Sequence, residues 1–318
     1  MGKTIDVTAL GELLIDFTEN GTSTQGNPIM EANPGGAPCN VLAMLKRLGH
    51  ETAFIGKVGD DMFGTQLEGA LKEVGISTEG LIKDKDVHTT LAFVHTFPDG
   101  DRDFSFYRKP GADMMLSVAD VKENLCTDSK IFHFGSLSMT DPVCEEATLY
   151  AVKKAKEAGA VITYDPNLRE PLWESLDKAA EKIAQGMELC DVMKISDNEI
   201  QWFTGEQDFE TGVRILQEKY PNIKLLLLSL GKDGSLAFTK NAKAFVPAVL
   251  RENTIETTGA GDTFCGCVLH YILENGLKDF TEAELTEMLT FANKAASLIT
   301  TRKGALRVMP TLEEIANS

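Results

Sequence analysis

No hydrophobic run in this chain approaches the ~20 residues that a membrane-spanning helix requires. The apolar segment Leu225 to Leu228 is far shorter and is typical of a buried strand. The opening residues MGKTID lack the apolar core of a signal peptide, and Asp6 stands where a myristoylation motif requires Ser or Thr. We therefore expect a cytoplasmic protein with no membrane partner.

Basic residues are in short supply. The chain has 31 Lys and Arg residues against 48 Asp and Glu residues, which gives a net charge of -17. This balance argues against nucleic acids and anionic membranes as partners, because their phosphates would be repelled. We interpret the excess of acidic side chains as a solvated surface rather than a binding site.

Cysteines at the spacing typical of zinc or redox motifs are absent as well. No C-x-x-C motif occurs, which argues against a zinc site and against a disulfide framework. We expect the cysteines to be free thiols that pack as small apolar residues. They are Cys39, Cys126, Cys144, Cys190, Cys265 and Cys267.

Two common nucleotide-binding motifs are also missing. The sequence contains neither a Walker-type G-x-x-x-x-G-K nor a G-x-G-x-x-G that follows a strand. A P-loop ATPase and a nicotinamide dehydrogenase are therefore not supported, and any nucleotide must be held in another way.

The chain does contain a regular alternation of short apolar runs with helical patterns, which is typical of βαβ units. The helical pattern from Pro142 to Glu157, for example, stops at Gly159. These patterns predict one α/β domain over residues 1–318, with a mainly parallel sheet and helices on both faces. The predicted strands are Asp6 to Ala9, Thr52 to Gly56, Lys130 to Phe134, Val161 to Tyr164, Val192 to Ile195 and Leu225 to Ser229.

Two segments, 13–31 and 89–108, interrupt this alternation. In the second, two apolar runs flank the turn Pro98-Asp99-Gly100, a pattern typical of a β-hairpin. We expect the segments to form a small β-sheet lid over the carboxyl ends of the main strands, where open α/β sheets bind ligands. Because an exposed lid sheet often buries its edge in a homodimer, we expect a homodimer through the lid.

The most informative stretch is Thr257-Thr258-Gly259-Ala260-Gly261-Asp262, which precedes an apolar helical run. Small residues at 259 to 261 allow a tight turn that aims backbone N–H groups at one point, at the positive end of a helix. Such a turn binds a phosphoryl group, and Asp262 beside it could take the proton of an attacking hydroxyl. The local pattern alone fits equally well a plain tight loop with an N-capping Asp.

The same stretch resembles the C-terminal signature of the PfkB carbohydrate kinases. The N-terminal signature of that family is present at Gly35 to Val41, and another family block occupies Gly56 to Gly64. The blocks follow the family's order along essentially the whole chain. The resemblance implies a ribokinase-like fold, ATP as the phosphoryl donor and Asp262 as the catalytic base. The anion hole would consist of Gly259, Ala260 and Gly261.

The resemblance also indicates where a sugar would bind. Asp16, just after the first strand, would accept hydrogen bonds from sugar hydroxyls, and Arg169 would bind the transferring phosphoryl group. The run from Arg108 to Asp113 is similar to fructokinases, so Arg108 would close over the sugar or its phosphate; a solvated surface arginine is the alternative. The other expected sugar contacts are Gly35, Gly36 and Asn40, although the two glycines also fit a plain turn.

Nucleotide and metal positions are implied in the same way. The family's Asn-x-x-Glu element, which positions magnesium through water, is present with Glu199 kept and Ser196 in place of the Asn. Glu256 stands where family members commonly have an Asp that contributes to a potassium or sodium site. The other groups of that site would be Thr258, Arg302 and Gly304. The expected ATP contacts are Ser229, Gly231, Gly234 and Asn293, although a helical Asn is usually a surface residue.

Together these motifs predict a kinase that uses ATP, Mg²⁺ and a monovalent cation such as K⁺ to convert fructose into fructose 6-phosphate. One alternative is another kinase of the family, which acts on 2-keto-3-deoxygluconate, ribose or a nucleoside. The other is a catalytically silent sugar-binding member, against which the retention of Asp262 and Glu199 argues.

Overall fold

The computed structural model of the protein describes residues 2–96 and 102–318. The strands are β1 (Ile5–Leu10), β2 (Leu14–Thr22), β3 (Pro28–Gly35), β4 (Thr52–Gly59), β5 (Ser77–Asp84), β6 (Leu91–Thr96), β7 (Arg102–Tyr107), β8 (Ser129–Gly135), β9 (Val161–Asp165), β10 (Val192–Ser196), β11 (Leu225–Ser229), β12 (Ser235–Phe238) and β13 (Lys243–Val246). The α-helices are α1 (Ala37–Arg47), α2 (Met62–Val74), α3 (Glu123–Thr127), α4 (Pro142–Glu157), α5 (Leu176–Leu189), α6 (Asp197–Thr204), α7 (Phe209–Lys219), α8 (Ala260–Asn275), α9 (Glu282–Ile299) and α10 (Leu312–Ala316).

The main sheet contains nine strands in the order β13-β12-β11-β10-β9-β8-β1-β4-β5. All neighbours from β11 to β5 in this order run parallel, while β12 and β13 add an antiparallel edge. The predicted mainly parallel sheet is thus confirmed. Because parallel strands end at one edge of the sheet, the loops after β1, β9, β10 and β11 emerge on the same side.

Helices cover both faces of this sheet, as predicted. On β11, Leu225 and Leu227 enter a hydrophobic cluster with α1, α8 and α9. Leu226 and Leu228 enter a second cluster with α4, α5 and α7. Successive side chains of a strand point to opposite faces, so a doubly covered strand is apolar along its whole length.

A second, smaller sheet has the strand order β3-β2-β6-β7. Strand β2 pairs parallel with β6 and antiparallel with β3, and β6 pairs antiparallel with β7. Both segments that interrupt the sequence pattern therefore supply strands, although the first extends to Gly35 rather than residue 31. The expected turn at Pro98, Asp99 and Gly100 lies outside the described residues. Because β2 begins soon after β1 ends, the small sheet adjoins the carboxyl edge of the main sheet.

Local signals set the element boundaries closely. Each of the six predicted strands is present, and α4 begins and ends where the sequence pattern places it. The Asp141 side chain caps α4 by accepting a hydrogen bond from the Val143 amide at 3.0 Å, and Gly159 follows the helix with a φ of 74°. All six cysteines are buried and free, as expected. In the part of the chain that the structure describes, no helix has the length and apolar character needed to cross a bilayer.

Candidate active site

The turn before α8 is shaped by Gly259. This residue has a φ of 76°, in the left-handed region that favours glycine, and it caps the helix. Asp262 is therefore not the N-cap, and the interpretation of the motif as a loop with an N-capping Asp is wrong. The amide of Ala260 donates to a carbonyl of the same turn at 3.2 Å. Gly261 and Asp262 lie in the first turn of α8, where backbone amides point toward the positive end of the helix and can bind an anion.

The carboxylate of Asp262 is held by a residue from the other end of the chain. Asn40 on α1 donates from Nδ2 to Asp262 Oδ2 at 2.8 Å. Burial raises the pKa of Asp262, while the Asn40 hydrogen bond and the nearby charge of Lys194 oppose that rise. A carboxylate with a raised pKa is a better proton acceptor near neutral pH than an exposed one.

Asn40 was expected to contact a sugar, and the structure gives its amide nitrogen a different partner. Its Oδ1 atom, in contrast, is buried and has no hydrogen-bond partner among the described residues. Buried amide oxygens normally accept a hydrogen bond. Asn40 thus has one group that orients Asp262 and one that fits a ligand hydroxyl.

A buried ion pair lies directly beside the turn. Lys194 on β10 is 8% exposed, and its Nζ lies 2.8 Å from Asp165 Oδ2 at the end of β9. A Cβ atom on Gly261 would lie 3.3 Å from this Nζ. Burial alone would lower the pKa of Lys194, but the Asp165 and Glu199 carboxylates outweigh it and raise the pKa, so the ammonium stays charged. The turn therefore has a fixed positive charge next to it.

Asp16 lies on β2, against the backbone of β3. A Cβ atom on Gly35 would lie only 2.0 Å from Asp16 Oδ2, so the glycine is what allows this approach. Burial raises the pKa of Asp16 to about 7, and the positive charge of Arg169 counters part of this rise. Asp16 and Gly35, which were each expected to contact a sugar, thus lie directly against each other.

Gly36 is constrained in a similar way. It has a φ of 123°, and a Cβ atom on it would lie 2.4 Å from the carbonyl oxygen of Glu12. The buried Glu12 side chain accepts a hydrogen bond from the Ala37 amide at 2.9 Å, and burial raises its pKa to about 7. Glu12 therefore fixes the start of α1, and with it Asn40.

Arg169 is exposed in the loop after β9, and its Nη1 donates to the Leu168 carbonyl at 3.2 Å. Burial dominates the pKa values of Asp16 and Asp262, and the charge of Arg169 acts against burial at both carboxylates. The guanidinium thus lies within electrostatic reach of both groups. This position fits the expected phosphoryl contact, because a guanidinium matches phosphate oxygens.

Glu199 is held in place by three hydrogen-bond donors. The amide and hydroxyl of Ser196 both donate to Oε2 at 2.8 Å, and the Leu168 amide donates to Oε1 at 2.6 Å. Ser196 is the N-cap of α6 and forms a capping box with Glu199. Ser196, which stands in place of the family's Asn, therefore orients the Glu199 carboxylate that is expected to hold the water ligand of magnesium.

The Glu256 side chain joins the two segments that are expected to hold a monovalent cation. Its Oε1 accepts a hydrogen bond from the Gly304 amide at 2.7 Å, and Thr258 lies two residues further along the same turn. The Arg302 side chain is used elsewhere, since it donates to the Val308 carbonyl at 2.7 Å and pairs with Glu314. If Arg302 contributes to a cation site, it does so through its backbone.

The expected ATP contacts lie in two places: three at or after the end of β11, and one, Asn293, on α9. Ser229 is the last residue of β11, and Gly231 and Gly234 lie in the loop that follows, where Gly234 has a φ of 120°. Asn293 on α9 is 7% exposed, so its interpretation as a surface residue is wrong. Its Oδ1 accepts from Ser235 at 2.9 Å and its Nδ2 donates to the Val246 carbonyl at 3.0 Å. Asn293 thus ties α9 to the antiparallel edge, which does not fit a direct contact with the base.

Of the expected site residues, Arg108 agrees least with its expected role as a sugar or phosphate contact. Its side chain is 2% exposed, so a solvated surface arginine is wrong. Its Nε lies 2.7 Å from Asp113 Oδ2, and its two terminal nitrogens donate to the Thr140 hydroxyl and the Leu137 carbonyl. All three nitrogens are thus occupied by protein acceptors. The geometry assigns Arg108 to a buried ion pair and does not fit the expected closure over a sugar.

Comparison with known proteins shows the family of the chain. A family model described as pfkB family carbohydrate kinase matches residues 4–312. The chain belongs to this family. Fructokinase-2 of Solanum lycopersicum is 42% identical to this pfkB-family kinase over 312 residues, which are 97% of this chain and 94% of that protein.

Solved structures of the family match over the full chain. The fructokinase with bound ATP from Xylella fastidiosa superimposes with a TM-score of 0.89 at 32% identity, and the match covers 100% of this chain and 98% of that one. A double mutant of the fructokinase from Vibrio cholerae O395, with fructose, ADP and a potassium ion bound, gives a TM-score of 0.87 at 28% identity, with 100% and 99% covered. The expected ribokinase-like fold is confirmed.

Sequence reasoning missed two parts of the site in this pfkB-family kinase. From the sequence alone, Glu12 has no predicted role and Lys194 is placed only within the predicted strand Val192 to Ile195. The signal for Lys194 was a lone charge in the apolar strand Val192 to Ile195, because a buried charge requires a partner and is rare without a role.

Proposed function

We propose that this pfkB-family kinase is an ATP-dependent fructokinase, which forms ADP and fructose 6-phosphate. The observation that carries the proposal is the Asp262 carboxylate, held by Asn40 beside the first-turn amides of α8 and within electrostatic reach of Asp16 and Arg169. The fructokinases that match along nearly the whole chain support fructose as the acceptor.

In the proposed reaction, Asp262 accepts the proton of the sugar hydroxyl as its oxygen attacks the γ-phosphorus. The new P–O bond forms while the bond to the β–γ bridging oxygen breaks, and ADP leaves with the electron pair of that bond. Negative charge spreads over the transferring group, where the amides of Gly261 and Asp262 donate hydrogen bonds. Lys194 and Arg169 add positive charge near this group. Asp16 and Asn40 Oδ1 orient the sugar.

Magnesium bound to the ATP phosphates would neutralise their charge. Glu199 is the residue suited to hold it through a water molecule. Its two oxygens accept hydrogen bonds from Ser196 and Leu168, yet a carboxylate keeps lone pairs for further donors. The protein donors fix the direction of those lone pairs.

We also propose that residues 1–318 act as one kinase domain whose small sheet is the lid of the sugar site. Asp16 on β2 connects that sheet to the reacting groups. The two edge strands of the small sheet carry exposed apolar side chains, Ile29 on β3 and Tyr107 on β7. Exposed sheet edges of this kind favour a homodimer through the lid. A cytoplasmic location stays a prediction.

A substrate screen tests the proposed function. ADP release would be measured with fructose, 2-keto-3-deoxygluconate, ribose and a nucleoside at matched concentrations, with the Asp262→Asn variant as background. We expect kcat/KM for fructose to exceed that of each other acceptor by at least ~10²-fold. A higher value for another acceptor would assign the chain to that kinase class, and no turnover with any of them would indicate a silent member.

The activity should depend on pH through two carboxylates. Burial raises the pKa of Asp16 to about 7 and also raises that of Asp262. Since both act in the ionised form, kcat/KM for the sugar should rise with pH, and the contribution of Asp16 should reach half of its full value at about pH 7. In Asp16→Asn the part of this rise due to Asp16 should vanish, and KM for the sugar should increase at least ~10-fold with KM for ATP unchanged.

Rates measured from about pH 5 to pH 9 check this prediction. ATP also titrates in this range, and the comparison of the two proteins cancels its contribution. A pH profile in Asp16→Asn that matches the native one would contradict it, as would an equal rise in both KM values.

A monovalent cation beside the turn should activate this protein only weakly. Such an ion would draw backbone carbonyls toward itself and so fix the opposing amides on the phosphate. Glu256 instead binds the Gly304 amide. We therefore expect potassium to raise kcat by less than the ~10²-fold effect of one lost oxyanion donor, with little change in fructose binding.

Initial rates in potassium, sodium and tetramethylammonium salts at equal ionic strength provide the measurement. The Glu256→Asp variant is the comparison, because its shorter side chain releases the Gly304 amide and restores the usual family residue. Identical rates in all three salts for both proteins would refute a role for the ion. Activation that appears only in Glu256→Asp would show that Glu256 abolishes the native site.

A further inference from the structure

A cluster of side chains of metal-ligand type lies between the C-terminal half of α8 and the turn after α1, away from Asp262. One ligand atom each from His50, His270 and Glu274 lies within 4.8 Å of the other two. The nitrogens His50 Nε2 and His270 Nδ1 are 2.7 Å apart, so one proton must lie between them. We propose that these three side chains bind a divalent transition-metal ion, with zinc as the best match.

The ligand set selects the class of metal. Two imidazoles and one carboxylate, with water as the fourth ligand, are a common tetrahedral zinc set. Magnesium prefers oxygen ligands, so the magnesium that accompanies ATP would not compete for this cluster. With Zn–N bonds of about 2.0–2.1 Å, the two nitrogens would lie about 3.3 Å apart. The ion would therefore take the place of the shared proton, and the two rings would move slightly apart to admit it.

The backbone already presents the ligands to one point. His270 and Glu274 are four residues apart on α8, so their side chains share one face of the helix. His50 lies in the turn between α1 and β4. His50 is buried, His270 is half-buried and Glu274 is exposed. An ion can therefore enter from solvent past Glu274.

A second carboxylate supports the inner imidazole. Asp6 Oδ2 lies 3.6 Å from His50 Nδ1, on the opposite side of the ring from His270. Asp6 is itself fixed by Lys130 Nζ and by the Glu51 amide, both at 2.8 Å. A carboxylate beside the non-coordinating nitrogen is the usual support of a metal-binding histidine, because it favours the tautomer with the other nitrogen free.

The position of the cluster suggests its effect. Helix α1 carries Asn40 and α8 carries Asp262, and the two residues meet at one end of this helix pair. The ion would join the segment after α1 to α8 at the other end. Zinc should therefore stabilise the folded chain, whichever acceptor the enzyme uses.

Zinc titration of the full chain, stripped of metal with a chelator, is the direct test. We expect one high-affinity zinc ion per chain by calorimetry. At a free zinc concentration of about 100 times Kd, Tm should rise by about 4 °C. Cobalt should bind at the same position and give the visible absorption of a tetrahedral ion.

Matched variants locate the ion. His270→Asn should abolish the high-affinity binding, and Glu274→Gln, at an exposed position that should not disturb folding, should weaken it at least tenfold. The control is His88→Asn, since His88 has a carboxylate, Asp61, at the same 3.6 Å but lies outside the cluster. Absence of zinc binding by the native chain, or unchanged affinity in Glu274→Gln, would overturn the proposal.

Discussion

Replacement of Asp262 by Asn should lower kcat by at least ~10²-fold, with little effect on the binding of either substrate. An amide has the same shape as a carboxylate and can still occupy the position beside Asn40, but it cannot accept the proton of the sugar hydroxyl. The loss therefore falls on the chemical step. Steady-state rates give kcat, and calorimetry of fructose binding shows whether the ground state is intact.

The control for this variant is Asp177→Asn. Asp177 also lies in the first turn of a helix, α5, but it is exposed and is not one of the proposed site residues. Its replacement should leave kcat unchanged. Near-normal turnover in a folded Asp262→Asn protein would reject Asp262 as the base, and loss of fructose binding would show that its main role is to hold the sugar.

Local patterns account for the parts of this molecule that the sequence predicts well. The strand at Leu225 to Ser229 and the helix at Pro142 to Glu157 follow from apolar periodicity and from capping residues that lie close by in the chain. The turn at Gly259 follows from a φ value that glycine readily adopts. Each of these features is decided within about one helical turn of the residues concerned.

The features that the sequence does not predict depend on partners that are distant in the chain. The Asn40 side chain bonds to Asp262, 222 residues away, and no local signal pairs the two. The charge of Arg108 suits a substrate contact, but its guanidinium nitrogens bond to the nearby Asp113 and to the carbonyl of Leu137, which is more distant in the chain. A polar side chain near a site binds whichever acceptor packing brings to it, so its role becomes visible only in three dimensions.

The second large effect is expected for Lys194→Met. The change removes one partner of a buried ion pair and leaves the Asp165 carboxylate in a medium that solvates it poorly. Such a loss costs about 3–5 kcal/mol of unfolding free energy. It also removes the positive charge beside Gly261, so kcat should fall at least ~10-fold. Urea unfolding and steady-state kinetics measure the two effects separately.

Two further variants separate the role of Lys194 in folding from its role at the phosphate. Lys194→Met with Asp165→Asn removes both charges of this ion pair, so stability should recover in part while kcat stays low. Lys178→Met, which breaks the exposed pair with Glu181, should leave stability nearly unchanged, because solvent screens such pairs. Recovery of kcat together with stability would mean that Lys194 acts through the fold alone. A stable Lys194→Met protein with low kcat would instead mean that the ammonium acts mainly on the transferring phosphoryl group, and that water or a shifted side chain compensates Asp165.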